Sequence, residues 1–275
     1  MTGPVIAGAP GPGALALGRW AADTLGVPLV VAVVHPAPAP LGSGRVDAEW
    51  VADRHRAAQQ ALDEARGQLG DTAADYRLIA SSSAAHGLHD LAEQTKASVV
   101  VVGSGREALG STAERLLAGS SCPIAVVPGD LVEPPGGLGL IGVAYVDTPD
   151  GRAALAEAAR LAAGTGSRLR LYTVVAEGIS PLPFLHDAER VLLETARETY
   201  EQSLAAAVAS VPAADADWRI ISGDVVETLA GLAEVDVLFC GSRGYGPARR
   251  VLLGGVSARL LRRARRPVVV VPRSG

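Results

Sequence analysis

At 275 residues, of which 48% are hydrophobic and 20% charged, the chain is long for one folding unit and comfortable for two of about 130 to 140 residues. No apolar run approaches the roughly 18 residues that cross a bilayer, and the Met1–Ala7 segment has no basic stretch ahead of its apolar residues, so a cytoplasmic chain without membrane partners is expected. The net charge of −4 hides an asymmetry: residues 241–275 hold nine arginines and no acidic residue, leaving 16 of the 25 basic residues against all 29 acidic ones, a balance of −13. An arginine-rich end on an acidic body suits a phosphate ligand, whereas a nucleic-acid surface would need a broader basic face.

The first half opens on a strand at Val5–Ala7, passes a proline-rich turn at 35–40 and reads as a long helix from about Ala48 to Leu69. His86 and His89 follow near a helix start; their spacing chelates a metal only with a third ligand, and none is evident. Residues 97–104 form an apolar strand ending in Gly103-Ser104, and the half closes on Ile124–Val127. Residues 128–137, rich in proline and glycine, are the linker by composition. The second half repeats the plan as strand 140–146, helix 153–163, strand 169–175, helix 188–211, strand 218–221, helix 225–232, strand 235–240, a helix from Ser257 and strand 268–271. Alternating strands and helices predict a parallel sheet with helices on both faces. Cys122 and Cys240 fall one in each half, outside any metal or redox spacing, and read as core thiols.

The halves align as copies. Ala97–Ser104 matches Val235–Ser242 at an offset of 138, and the closing segments match at 144. The six-residue difference lies in a glycine loop. In the second copy that loop reads Gly241-Ser242-Arg243-Gly244, then nine residues, then Gly254-Gly255-Val256-Ser257. It runs from a buried strand to a helix start, where unpaired backbone N–H groups and the positive dipole end favour an anion. It is not a P-loop, because the Gly-Lys-Ser/Thr ending is missing.

The five-strand order, the Gly-x-x-Gly-x9-Gly loop and the closing Pro267–Pro272 strand resemble the universal stress protein family in its tandem two-domain form. The resemblance implies an adenine-nucleotide α-hydrolase-like, Rossmann-like fold in two copies, residues 1–130 and 138–275, and a cytosolic stress-response function. In ATP-binding members the loop glycines and the helix start enclose the triphosphate, which assigns Gly241, Gly244, Gly254, Gly255, Val256 and Ser257 to the phosphates. Gly255 departs from the family's Ser or Thr; Ser257 matches a family hydroxyl position. Asp147 matches the aspartate beside the nucleoside and metal region, although by itself it would also serve as a helix cap. Val174 matches the position whose backbone meets the adenine edge, and Arg243, with Arg249 and Arg250, lies where it would either neutralise phosphate charge or face water.

The expected ligand is therefore ATP, with Mg2+ as an optional companion, in the second copy alone. The first has lost six loop residues and carries Ala9-Pro10 where the aspartate belongs. No base is evident, so slow hydrolysis is the most the pattern supports. The resemblance further implies an intramolecular pseudo-dimer through Ile124–Val127 and Val268–Val271, with surfaces left for a homodimer or an unidentified protein partner. The competing reading is a dimerisation and interaction module that binds no nucleotide, Gly255 being the mark of a decayed site. An AMP-transferring enzyme is disfavoured because no Ser-Gly-Gly-x-Asp-Ser loop follows either first strand.

Overall fold

The computed structural model describes residues 3–9, 11–37, 45–104, 110–129, 131, 138–175, 186–211, 215–242 and 255–272. Two compact units divide the chain, one built mainly from residues 1–137 and the other from 138–242 and 254–274.

The first unit runs β1 (Val5–Gly8), α1 (Pro12–Leu25), β2 (Leu29–Pro36), α2 (Arg45–Leu69), β3 (Ala74–Ser81), α3 (Ala84–Thr95), β4 (Val99–Gly103), α4 (Ser111–Leu117) and β5 (Ile124–Val127). Its strands pair in the order β3-β2-β1-β4-β5, all parallel. α1 packs against α2 and α3 against α4, so helices cover both faces, as continuous apolar parallel strands require. Ile6, Leu116, Leu117 and Ile124 are fully buried at its centre.

The second unit repeats the design with β6 (Leu140–Ala144), α5 (Pro149–Thr165), β7 (Arg168–Val175), α6 (His186–Ala209), β8 (Ala216–Ser222), α7 (Val225–Ala230), β9 (Val237–Gly241), α8 (Gly255–Arg263) and β10 (Val268–Val271). The order is β8-β7-β6-β9-β10, again parallel throughout. Ile141, Leu169, Leu171, Leu204, Leu238 and Leu260 fill its core. One turn signal recurs in both copies. Gly26 after α1 and Gly166 after α5 take φ of 63° and 68°, the left-handed stop for which glycine costs least.

Most element boundaries shift by one to three residues from those expected, and the shift between β6 and α5 bears on the site. β6 stops at Ala144 rather than Val146, and α5 starts at Pro149 rather than 153. The cause is Thr148, whose side chain accepts a hydrogen bond from Gly151 N at 3.1 Å and caps the helix early. Gly151 allows this turn, because a Cβ there would sit 2.0 Å from the Val146 carbonyl oxygen. Most of the linker, 130 and 132–137, lies outside the described residues.

Candidate functional site

In the second unit β6 lies between β7 and β9, with Ala144 in register with Cys240. The chain leaves β6 toward β7 and leaves β9 toward β10, so the carboxyl ends of β6 and β9 flank the point where the strand order reverses. Outside such strand ends, open α/β sheets leave a crevice for ligands. The segments that follow these strands, 145–148 and Ser242, and the first turns of α5 and α8 supply its described residues.

Asp147 stands just before the α5 cap, and its side chain is 53% exposed. Its Oδ1 accepts from the Tyr145 hydroxyl at 3.3 Å and pairs with Arg152. The cap role that Asp147 alone would suggest belongs to Thr148. The Asp147 carboxylate thus stays exposed beyond the end of β6 rather than being folded into the helix. Burial, then the Asp147 charge, raises the Tyr145 phenol. Val174, half-buried in β7 and in register with Ile221, lies one residue beyond Thr173, whose hydroxyl donates to the Tyr145 carbonyl at 2.7 Å. That bond ties the ends of β6 and β7 together.

Gly241 ends β9 against the first turn of α5. A Cβ at this position would lie 2.6 Å from the Asp150 carbonyl oxygen and 2.7 Å from Asp150 Cβ. Backbone atoms cannot yield as a flexible side chain would, so glycine is what lets the helix start approach the strand end. Beside it, Ser242 is fully buried; its N donates to the Val271 carbonyl at 3.0 Å, but its Oγ has no hydrogen-bond partner among the described residues. Asp150 Oδ1 is likewise buried without a partner among the described residues. Unmet buried polar atoms cost about 1–3 kcal/mol each, and both sit next to Gly241 in sequence or in space. Asp150 and Ser242 are the residues that motif reasoning passed over. The signals were an acidic residue one past the helix-initiating proline and a hydroxyl directly after the strand glycine.

Across the crevice, α8 begins at Gly255. Gly255 is exposed, with no atom within 4 Å of where a Cβ would stand. Val256 is half-buried. Ser257 is buried, and its Oγ reaches the Gly241 carbonyl at 3.4 Å. Full burial pushes the Cys240 thiol up to about 12, against a smaller opposing hydrogen bond from Ser257. Ser257 therefore fastens the first turn of α8 to the end of β9, leaving the helix's first N–H groups as the anion-facing feature. Arg259 Nε folds back onto the Gly255 carbonyl at 3.1 Å, adding positive charge to that turn. Arg243, Gly244, Arg249, Arg250 and Gly254 lie outside the described residues.

The first unit offers less at the same strand ends. α1 is capped by Gly11, which supplies no side chain, and a Cβ at Gly103 would meet nothing within 4 Å. Its loop at 105–109, and Pro10, are outside the described residues. His86 and His89 pair with Asp90 and Glu93 one turn along their own helix, at 3.4 and 3.5 Å. Among the described residues no helix is long and apolar enough to cross a membrane.

The sequence pattern of the Universal stress protein family matches residues 5–128 and again 139–272. A universal stress protein of Mycobacterium tuberculosis is 29% identical over 284 aligned positions, covering 97% of this chain and 97% of that protein. The crystal structure of a universal stress protein from Archaeoglobus fulgidus superposes with a TM-score of 0.68 at 20% identity, covering 99% of this chain and 97% of its own. Another solved universal stress protein, in complex with cAMP, is 20% identical and covers 46% of this chain and 98% of its own, with a TM-score of 0.36. With the family pattern present twice and spanning nearly the whole sequence, the chain belongs to the universal stress protein family.

Proposed function

We propose that the second unit binds ATP at the crevice between the ends of β6 and β9, and that occupancy sets the conformation or partner choice of a cytoplasmic stress-response protein. The observation that carries this reading is the buried, unpartnered Ser242 Oγ at a strand end where the first turns of α5 and α8 converge. A phosphate oxygen is an acceptor that would satisfy it and would also meet the first-turn N–H groups of α8. Asp150 Oδ1, buried without a donor, and the Asp147 carboxylate three residues earlier suit a divalent cation accompanying the phosphates. In that arrangement Ser242, Gly255 and Val256 hold phosphate oxygens, Asp147 faces the sugar and metal, and the backbone at Val174 meets the adenine edge. Gly241 and Ser257 hold the two helix starts in place.

Among the described residues, the ends of β6 and β9 and the first turns of α5 and α8 carry no histidine or lysine as a base, so the reading is of a binding site rather than a fast catalyst. The first unit, without a side-chain cap or an aspartate at its strand end, is proposed to bind no nucleotide.

A second reading, a dimerisation and docking module without nucleotide, draws on Gly255, which removes the hydroxyl the family carries there. One neutral hydrogen bond is worth about 0.5–1.5 kcal/mol, so that loss weakens binding several-fold and does not decide against it. Calorimetric titration with MgATP separates the two readings, using the wild type and Gly244→Val, with AMP and cAMP as alternative ligands. Heats of binding in the wild type, lost in the variant, support the nucleotide reading. Absence of heat in both supports the module.

A further inference from the structure

In the first unit two imidazoles meet at the carboxyl end of β2, where α2 packs on that strand. His55 Nδ1, on α2, lies 3.3 Å from His35 Nε2, on β2, with the rings edge to face and their centroids 4.8 Å apart. The other nitrogen of His35 fixes the proton positions. His35 Nδ1 is 3.0 Å from the Pro36 carbonyl, which can only accept, so Nδ1 carries the hydrogen and Nε2 presents its lone pair outward. His55 Nδ1 then donates to it. A ring whose second nitrogen is anchored to a backbone carbonyl is held as metal-ligating histidines are held.

We propose that His35 and His55 form a two-imidazole site for a divalent late transition-metal ion, with Zn2+ as the reference ion and solvent completing its coordination. Two nitrogens at about 2.0–2.1 Å from a tetrahedral zinc stand about 3.3 Å apart, which is the spacing found between them. Binding requires His55 to exchange tautomers, its proton passing from Nδ1 to Nε2. His55 is exposed, so solvent can carry that proton and the ring is free to tilt toward the ion. Neighbouring cations are engaged elsewhere, Arg56 by Asp53 and Arg54 over the Trp50 ring at 5.6 Å. Imidazole suits zinc, copper and nickel alike.

The site is particular to this copy. β1 and β6 pair with β2 and β7 in the same register, Val5 with Leu29 and Ile141 with Leu169, which places Val175 where His35 stands. Among the described residues no third His, Cys, Asp or Glu joins the pair in a group that could hold a metal ion, and the proposal leaves the remaining positions to water or to one donor of a small molecule. His86 and His89 are poorer candidates, because each faces a carboxylate on its own helix and not the other imidazole.

The test is calorimetric titration of chelator-treated, nucleotide-free full-length protein with zinc sulfate, repeated with nickel sulfate. Without nucleotide present, its outcome is independent of the proposed ATP site. The wild type is expected to take up one ion per chain, with affinity falling at least about tenfold in His35→Gln and in His55→Gln and unchanged in the His86→Gln/His89→Gln double variant. Because His55 is exposed, H55Q should retain the wild-type circular dichroism and melting curve, which keeps the test clear of folding defects. Nitrogen hyperfine splitting from two imidazoles in the Cu2+-loaded protein, reduced to one in H55Q, would be the matching spectroscopic signature. No zinc uptake by the wild type, or uptake that neither H35Q nor H55Q alters, overturns the proposal.

Discussion

The two units share a strand order, a register and even a left-handed glycine stop, yet differ at several strand ends and between their second and third strands. At the end of β4, a Cβ at Gly103 would meet no described atom within 4 Å; at the end of β9, the corresponding Gly241 is pressed against Asp150. Between the second and third strands of the sheets, Val30 faces Asp75 in the first unit, and Asp75 turns to the exposed Arg77 on its own strand at 2.8 Å. In the second unit Arg170 takes the place of Val30 and binds Asp217 through two bonds of 2.5 and 2.6 Å. Gly11 stands where Thr148 caps the helix. Apolar parallel strands are enough to specify this topology twice, while the strand ends are free to diverge, and the divergence is where binding chemistry would be gained or lost.

The largest expected effect breaks the comparison at the glycines. Gly241→Ala forces a Cβ into the backbone of Asp150 and should cost about 3 kcal/mol, the upper range for overpacking without a yielding neighbour, whereas Gly103→Ala should stay within about 0.5 kcal/mol. Urea denaturation of both variants measures the contrast, and equal costs would refute the close seating of α5.

The ion pairs come next. Arg170 is nearly buried and Asp217 partly exposed, with side-chain exposures of 9% and 42%, so Asp217→Asn should cost about 1–2 kcal/mol after solvent screening. Asp75→Asn, in an exposed pair, should cost a few tenths. The Arg170 guanidinium holds the Asp217 carboxyl below its ordinary value. Its folded pKa is thus lower than its unfolded one, so the stability it adds is complete above the unfolded value and is lost as pH falls through the depressed folded value. Melting curves taken from neutral into acid should show a shallower acid-side decline for D217N than for the wild type.

Smaller effects sharpen the account of the crevice. Asp147→Ala should weaken MgATP binding about tenfold, the worth of one charged contact, with little change in stability because its pair with Arg152 is exposed. Gly255→Ser should strengthen binding several-fold, restoring a hydroxyl worth about 0.5–1.5 kcal/mol where space is open. Titration of each variant with MgATP checks both signs.

Much of this was legible in the sequence. Buried parallel strands read as apolar runs, and duplication reads as a repeated offset, so the order of elements and the family resemblance followed from the residues themselves. Other features had no local signal. The start of α5 depended on which of Asp147 and Thr148 turned inward to cap it, and both are good capping residues. Gly241 reads from sequence as a residue cleared for a ligand, but the contact that requires glycine there comes from a helix start 91 positions earlier in the chain. Ser242 and Asp150 carry weak sequence signals, a hydroxyl after the strand glycine and an acid after the helix-initiating proline, whose weight shows only once burial and missing partners among the described residues are known. The His35–His55 pair joins residues 20 positions apart on a strand and a helix, a meeting that no short spacing motif announces.

Native mass spectrometry of the full chain with MgATP tests the central claim most directly, by counting nucleotides per chain. The account predicts one, lost from Gly241→Ala and retained in Gly103→Ala. Two per chain, or none, would contradict it.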